Sequence, residues 1–169
     1  QQYGLTAKKG YGQNFIIEPQ IVEKIASFGV MDDACTIEIG PGIGALTEML
    51  AKKSVFVSAF EIDDRLLEVL SDTLSAYDNV EIIHNDILTV DLDAFIKEKK
   101  EKYGRVCVCA NLPYYITTPI LFKLFECKED LSSITVMIQR EVADRFVAVK
   151  STKDYNALSV ISQYLFDVK

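Results

Sequence analysis

The chain has 169 residues, 49% of them hydrophobic and 25% charged, the proportions of one folded domain with a sizeable core rather than of a disordered or fibrous chain. No apolar run approaches the ~18–20 residues of a membrane span and no signal-peptide pattern opens the sequence, so no membrane partner is expected. The net charge of −7 argues against indiscriminate polyanion binding.

That charge is uneven: residues 32–110 hold sixteen acidic against eight basic side chains, while residues 1–30 and 131–169 are each slightly basic. Contact with nucleic acid is therefore expected from the two ends, or from a part outside this chain. A single histidine and four cysteines without CxxC spacing argue against a zinc site or a histidine-based catalytic site, and no metal is expected. Cys35, Cys107, Cys109 and Cys127 read as small, reduced core residues of a cytoplasmic protein.

In chain order, Pro19 suits the first turn of a helix running to about Phe28, with Gly29 as its stop. Short Val- and Ile-rich runs at Cys35–Ile39, Val55–Phe60, Val80–Ile83, Arg105–Ala110 and Ile134–Ile138 predict strands. Helical spacing or composition falls between and after them, at Ala45–Lys52, Asp64–Ala76, Leu92–Lys102, Pro119–Cys127, Glu141–Ala148 and Ala157–Tyr164. This alternation predicts an α/β fold, a mostly parallel sheet with helices on both faces, whose ligands bind at the carboxyl ends of the strands.

The residues closing those strands are Glu38-Ile39-Gly40, then Glu61, then Asp86, then Asn111. Gly40-Pro41-Gly42-Ile43-Gly44 follows a strand and opens a helix, so backbone can approach a ligand closely. Its G-x-G-x-G spacing differs from the dinucleotide pattern G-x-G-x-x-G, and the acidic Glu38 two positions earlier is a poor neighbour for a pyrophosphate. Glu61 is placed to accept hydrogen bonds from ribose hydroxyls, and Asp86 from an adenine amine. An acidic nucleoside site without phosphate-binding chemistry suits S-adenosylmethionine, which is cationic at sulfur and at its ammonium.

Asn111-Leu112-Pro113-Tyr114 then offers a side-chain carbonyl and a backbone carbonyl to one planar amine, a stiffened turn at Pro113, and an aromatic face at Tyr114. Such a loop suits a nucleobase amine aimed at an electrophilic methyl group. An adenine must leave its helix, or start unpaired, to enter it.

Gly12-Gln13-Asn14-Phe15, Glu38-Ile-Gly-Pro-Gly-Ile-Gly44, Asn111-Leu-Pro-Tyr-Tyr-Ile-Thr-Thr-Pro119 and Gln139-Arg-Glu-Val-Ala-Asp-Arg-Phe146 together resemble the small-subunit (16S) rRNA adenine N6,N6-dimethyltransferases. The similarity runs from about Ala7 to the end, in that family's order. It implies a Rossmann-like class I S-adenosylmethionine-dependent methyltransferase domain over residues 1–169, opened by a cofactor-lid segment at about 1–18. It also implies dimethylation at N6 of two adjacent adenosines in the 3′-terminal hairpin of small-subunit rRNA, within an assembling 30S particle. Carried over by position, Asn14 and the backbone of Ile16 would close over the cofactor with Gln13 nearby, and Gly40 and Gly42 would line its methionine end. Glu61 would bind the ribose and Asp86 the adenine, with Ile62 and Ile87 also cofactor-binding, while Asn111 would touch both cofactor and target amine. Leu112, Pro113 and Tyr114 would complete the target pocket.

Two departures stand out. The family continues into a small helical RNA-gripping domain that this chain is expected to lack, and Asn156 stands where the family often has glycine. Lys8, Lys9, Arg140 and Arg145 are candidate RNA contacts, the two arginines also being able to pair with Glu141 or Asp144. The Lys97–Lys102 run reads as a solvated helix end and His84 as structural. Oligomerisation has no sequence signal, so a monomer is expected. The alternatives are the related large-subunit rRNA adenine dimethyltransferases of macrolide resistance, or a small-subunit assembly factor acting mainly by binding. DNA adenine and protein-glutamine methyltransferases share the Asn-x-Pro-Tyr loop but not the Gly-Gln-Asn-Phe motif.

Overall fold

The computed structural model describes residues 18–169. The elements follow in the order α1 (Pro19–Gly29), β1 (Cys35–Ile39), α2 (Ala45–Ala51), β2 (Phe56–Glu61), α3 (Asp64–Thr73), β3 (Val80–His84) and α4 (Leu92–Tyr103). Next come β4 (Val106–Asn111), α5 (Thr117–Glu126), β5 (Ser133–Met137), α6 (Arg140–Phe146) and α7 (Ala157–Leu165). The five strands form one sheet in the order β3-β2-β1-β4-β5, every neighbouring pair parallel.

β1, β2 and β4 are almost wholly buried, covered on both faces as central parallel strands are, with Thr36, Glu38, Ser58 and Glu61 buried among their apolar residues. On one face α1 and α2 pack Val22, Ala26, Leu46 and Leu50 over Val57 and Cys109, and α3 lays Leu66, Leu70 and Leu74 beside Val80 and Ile82. On the other, Ile96 of α4 and Ile120, Leu121 and Leu124 of α5 cover Ile37, Ile39, Val106 and Val108, with Leu158 of α7 joining the same cluster. Each fully buried leucine or isoleucine there contributes about 1.5–3 kcal/mol.

The boundaries have local causes. Pro19 occupies the first turn of α1. Asp63 and Asp91 cap α3 and α4 by accepting from the backbone N–H of Arg65 and Ala94. Asn156 caps α7 in a reciprocal arrangement: its side chain accepts from Leu158 N–H at 2.9 Å while its own N–H donates to Ser159 Oγ at 3.1 Å. Its φ of −151° is ordinary extended backbone, so the departure from glycine costs nothing and supplies a cap.

Three expectations need correcting. Gly29 does not stop α1; it is its last helical residue, and Val30 in extended conformation ends it. The glycine is needed for close approach, since a Cβ there would lie 2.3 Å from Cys109 Sγ. α5 starts two residues earlier than its proline suggests, because the Thr117 hydroxyl bonds the Pro113 carbonyl at 2.9 Å and turns the chain into the helix. And the Lys97–Lys102 run is not wholly solvated. Lys97 pairs with Asp93 at the surface, but Lys99 is buried, its ammonium 2.8 Å from Glu81 and 4.8 Å from the Phe95 ring centre.

All four cysteines are buried and free. Burial pushes the Cys35 thiol up to about 11 and that of Cys109 to about 12, so neither is a nucleophile at neutral pH. Among the described residues no helix is long and apolar enough to cross a membrane, and no group of His, Cys, Asp or Glu could hold a metal ion.

Candidate active site

The chain reverses direction across the sheet at β1, which leads to β2 on one side and borders β4 on the other; ligands sit at such a switch point. There the carboxyl ends of β1, β2, β3 and β4 open into one crevice of about 950 Å³, its open mouth included. Every sequence-designated site residue from Gly40 to Tyr114 lines it: Gly40, Gly42, Glu61, Ile62, Asp86, Ile87, Asn111, Leu112, Pro113 and Tyr114. Gln13, Asn14, Ile16, Lys8 and Lys9 lie outside the described residues. Arg140 and Arg145 are exposed on α6, beyond the fifth strand, and do not line the crevice. Arg140 Nε lies 4.0 Å from Asp144, the surface pairing that the sequence allowed.

The glycine loop takes left-handed backbone at all three glycines, with φ of 71° at Gly40, 61° at Gly42 and 90° at Gly44. L-residues with side chains rarely adopt this region. The turn lets the backbone of Gly42 reach across to β2, where its N–H donates to Glu61 Oε2 at 3.3 Å. Glu61 Oε1 accepts from Asp63 N–H at 2.8 Å. The carboxylate is thus clamped between the first and second strand ends, with acceptor capacity left for a hydroxyl donor. Burial raises its pKa, and the backbone N–H bonds from Asp63, Gly42 and Ile62 oppose the rise.

Asp86 lies in the turn after β3. Its Oδ1 accepts from Leu88 N–H at 2.9 Å, and its own N–H donates to Asn85 Oδ1 at 2.9 Å. This Asx-type turn spends one carboxylate oxygen on the backbone and leaves the other for a ligand.

Asn111 is the last residue of β4, paired in register with Met137 of β5. Leu112 N–H continues the sheet by donating to the Met137 carbonyl at 3.1 Å, which fixes the first step of the loop. The Pro113 carbonyl then receives the Thr117 hydroxyl, and the Pro113 ring lies 3.7 Å from where a Cβ on Gly40 would be. The glycine loop and the Asn-Leu-Pro-Tyr loop are therefore in contact. Tyr114 is 41% exposed at the rim, which leaves a ring face available for stacking.

Sequence reasoning undervalued one residue. Glu38, on β1, is 1% exposed and lines the crevice floor, and its Oε2 has no hydrogen-bond partner. Burial pushes its carboxyl up to about 8, opposed by the neighbouring Thr47 hydroxyl and reinforced by Glu61. An orphaned buried carboxyl at the bottom of a cleft wants a cation. Its position ahead of the glycines, a poor one for a pyrophosphate, is equally a place for a cationic group.

These features fit S-adenosylmethionine. Three carboxylates, those of Glu38, Glu61 and Asp86, line the crevice together with apolar side chains such as Ile39, Leu46, Phe60 and Ile87. The fold and this arrangement at the carboxyl edge are those of a class I S-adenosylmethionine-dependent methyltransferase. The chain belongs to the ribosomal RNA adenine dimethylase family, whose model matches residues 4–169. It is 52% identical to the ribosomal RNA small subunit methyltransferase A of Bacillus pumilus over the whole chain, and 53% identical to that of Shouchella clausii, also over the whole chain. It spans 58% and 57% of those two proteins. Among solved structures, a dimethyladenosine transferase from Plasmodium falciparum superposes with a TM-score of 0.75 at 25% identity, covering 89% of this chain and 52% of that one. The 23S rRNA methyltransferase ErmE gives 0.64 at 28% identity, covering 88% and 55%.

Proposed function

We propose that this protein transfers methyl groups from S-adenosylmethionine to N6 of two adjacent adenosines in the 3′-terminal hairpin of small-subunit rRNA, giving N6,N6-dimethyladenosine. The observation that carries the proposal is the convergence of Glu38, Glu61, Asp86 and the Asn111–Tyr114 loop on one crevice. The curated relatives named above support the small-subunit reading, being about twice as similar in sequence as the 23S enzyme. The four buried free thiols suit a reducing, cytoplasmic setting. The protein acts as a monomer on rRNA within an assembling 30S particle, with Arg140 and Arg145 and the residues at Lys8 and Lys9 meeting phosphates.

Bound S-adenosylmethionine supplies a methyl group already activated on a sulfonium. The protein's task is then orientation. Glu61 accepts from the ribose hydroxyls, Asp86 and the Ile87 backbone hold the adenine, and Ile62 packs beside it. Gly40, Gly42 and Glu38 hold the methionine end, and Gln13, Asn14 and Ile16 close over it. The Asn111 side chain and the Leu112 carbonyl accept both N–H bonds of the target amine, so its lone pair points at the methyl carbon, while Tyr114 stacks on the flipped base. Departure of the amine proton follows bond formation and needs no strong base.

The test is methylation of small subunits lacking the modification, with methyl-labelled S-adenosylmethionine. Two methyl groups are expected on each of two adenosines near the 3′ end of small-subunit rRNA, read by mass spectrometry of the digested RNA. Label in large-subunit rRNA alone would point to the macrolide-resistance type. Tight particle binding without transfer would point to an assembly factor.

Glu38 adds a pH signature. Its carboxyl is protonated in the free protein below about 8 and loses that proton on meeting the ligand's ammonium. Affinity for S-adenosylhomocysteine, which carries the same ammonium, is therefore expected to rise from about pH 6 towards about 8, by at most about tenfold per pH unit. Near neutrality, binding should release close to one proton. Calorimetry in buffers of different ionisation enthalpy reads this directly. Glu38→Gln should abolish the release, and a wild-type enthalpy independent of buffer would separate Glu38 from the ammonium.

A further inference from the structure

Lys123 sits on α5, six residues after the helix begins, and its ammonium turns towards the loop between β3 and α4. It donates to the Leu88 carbonyl at 2.8 Å and to the Val90 carbonyl at 2.6 Å, across 35 and 33 residues of chain. It is half-buried, and it forms no ion pair with a carboxylate among the described residues. An ammonium that donates to two backbone carbonyls is a clamp on the loop that owns them.

That loop is the one carrying Asp86. The Leu88 peptides tie the two together: the N–H of Leu88 donates to Asp86 Oδ1, and the carbonyl of Leu88 receives Lys123. At its other end, α5 is bound to the methyl-acceptor loop by the Thr117 hydroxyl on the Pro113 carbonyl. One helix thus holds both the turn assigned to the adenine of the cofactor and the loop assigned to the target amine.

We propose that Lys123 is a positioning residue for methyl transfer, locking the Asp86 turn to α5 so that the two halves of the crevice share one frame. This rests on the reading of Asp86 as the adenine-binding carboxylate. Lys123 touches neither cofactor nor target; it acts through the Leu88 peptide on Asp86.

The experiment is a double-variant cycle of Lys123→Met and Asp86→Ala, with Lys123→Arg as the conservative variant. It is read by calorimetry with S-adenosylhomocysteine and by the KM for S-adenosylmethionine, below the melting temperature of each variant. Lys123→Met is expected to weaken binding and raise KM by about tenfold. Lys123→Arg, whose guanidinium also donates to two carbonyls, should recover most of that loss. In the Asp86→Ala background, Lys123→Met should add little, because its effect runs through the carboxylate already removed. A lowered melting temperature with unchanged affinity would make Lys123 merely structural and overturn the proposal. So would losses that multiply in the double variant. If Asp86→Ala weakens binding and Lys123→Met does not, the Lys123 proposal alone fails; if Asp86→Ala itself has no effect, the adenine assignment fails and takes the proposal with it. Should Lys123→Met not fold, Lys123→Gln, neutral but still a donor, runs the same cycle with the same opposing outcomes.

Discussion

Asn111→Ala is expected to lower single-turnover methyl transfer by about a hundred- to a thousandfold, the scale seen when one preorganised hydrogen-bonding group is removed from a reacting centre. The residue closes β4 and lines the crevice, where its side chain is assigned one of the two acceptors for the target amine. Without it the amine keeps only the Leu112 carbonyl, and its lone pair loses its aim. The backbone is held independently by Leu112 N–H on Met137 and by Thr117 on Pro113, so the loop should keep its shape. Small-subunit binding should therefore remain largely intact, and S-adenosylhomocysteine affinity should fall only a few-fold. A filter-binding assay beside single-turnover kinetics separates the two effects. Equal loss of binding and transfer would count against a role in the chemical step, and a rate within tenfold of wild type would remove Asn111 from it.

The second large effect is expected at Glu61. Glu61→Ala removes the acceptor for the ribose and also strands the backbone donors that the carboxylate now satisfies, Gly42 N–H, Ile62 N–H and Asp63 N–H. Charge-assisted hydrogen bonds of this kind are worth about 1.5–3 kcal/mol each, so cofactor affinity should drop about a hundredfold or more. Glu61→Gln, which keeps one acceptor oxygen, should lose less. Calorimetric titration with S-adenosylmethionine reads both. An unchanged dissociation constant in a folded Glu61→Ala protein would break the cofactor assignment at its centre.

Most of the fold was legible because buried parallel strands advertise themselves. The strand ending at Asn111 is apolar up to that residue, Cys35–Ile39 breaks its apolar run only at Thr36 and Glu38, and Pro19 marks the first turn of α1. The crevice was legible for the same reason: once strand ends are placed, Gly40, Glu61, Asp86 and Asn111 must meet. What the sequence hid were contacts that carry no local pattern. Gly29 looks like a helix stop until Cys109, 80 residues away, is seen against it. Lys99 looks solvated because it sits among lysines, yet it falls on the face of α4 that meets Glu81, with its ammonium over the ring of Phe95 one turn earlier on the same helix. The Lys123 clamp joins segments more than thirty residues apart through main-chain carbonyls, which no side-chain motif can announce. Glu38 was visible as an acid but not as an unpartnered one, because only packing shows that its Oε2 has nothing to bind.

The strand order has a consequence for how the molecule assembles. β1 must gather β2 from one direction and β4, nearly seventy residues downstream, from the other before the crevice exists at all. Parallel pairings of this sequence separation close slowly, since the loop entropy comes before the reward. The binding site exists only once both pairings have formed, and a ligand that needs it is blind to every form that lacks either of them. Cofactor then acts as a latch on the finished molecule: it slows unfolding and lifts the melting temperature with the logarithm of its free concentration above the dissociation constant, while leaving the climb to the native state unhurried.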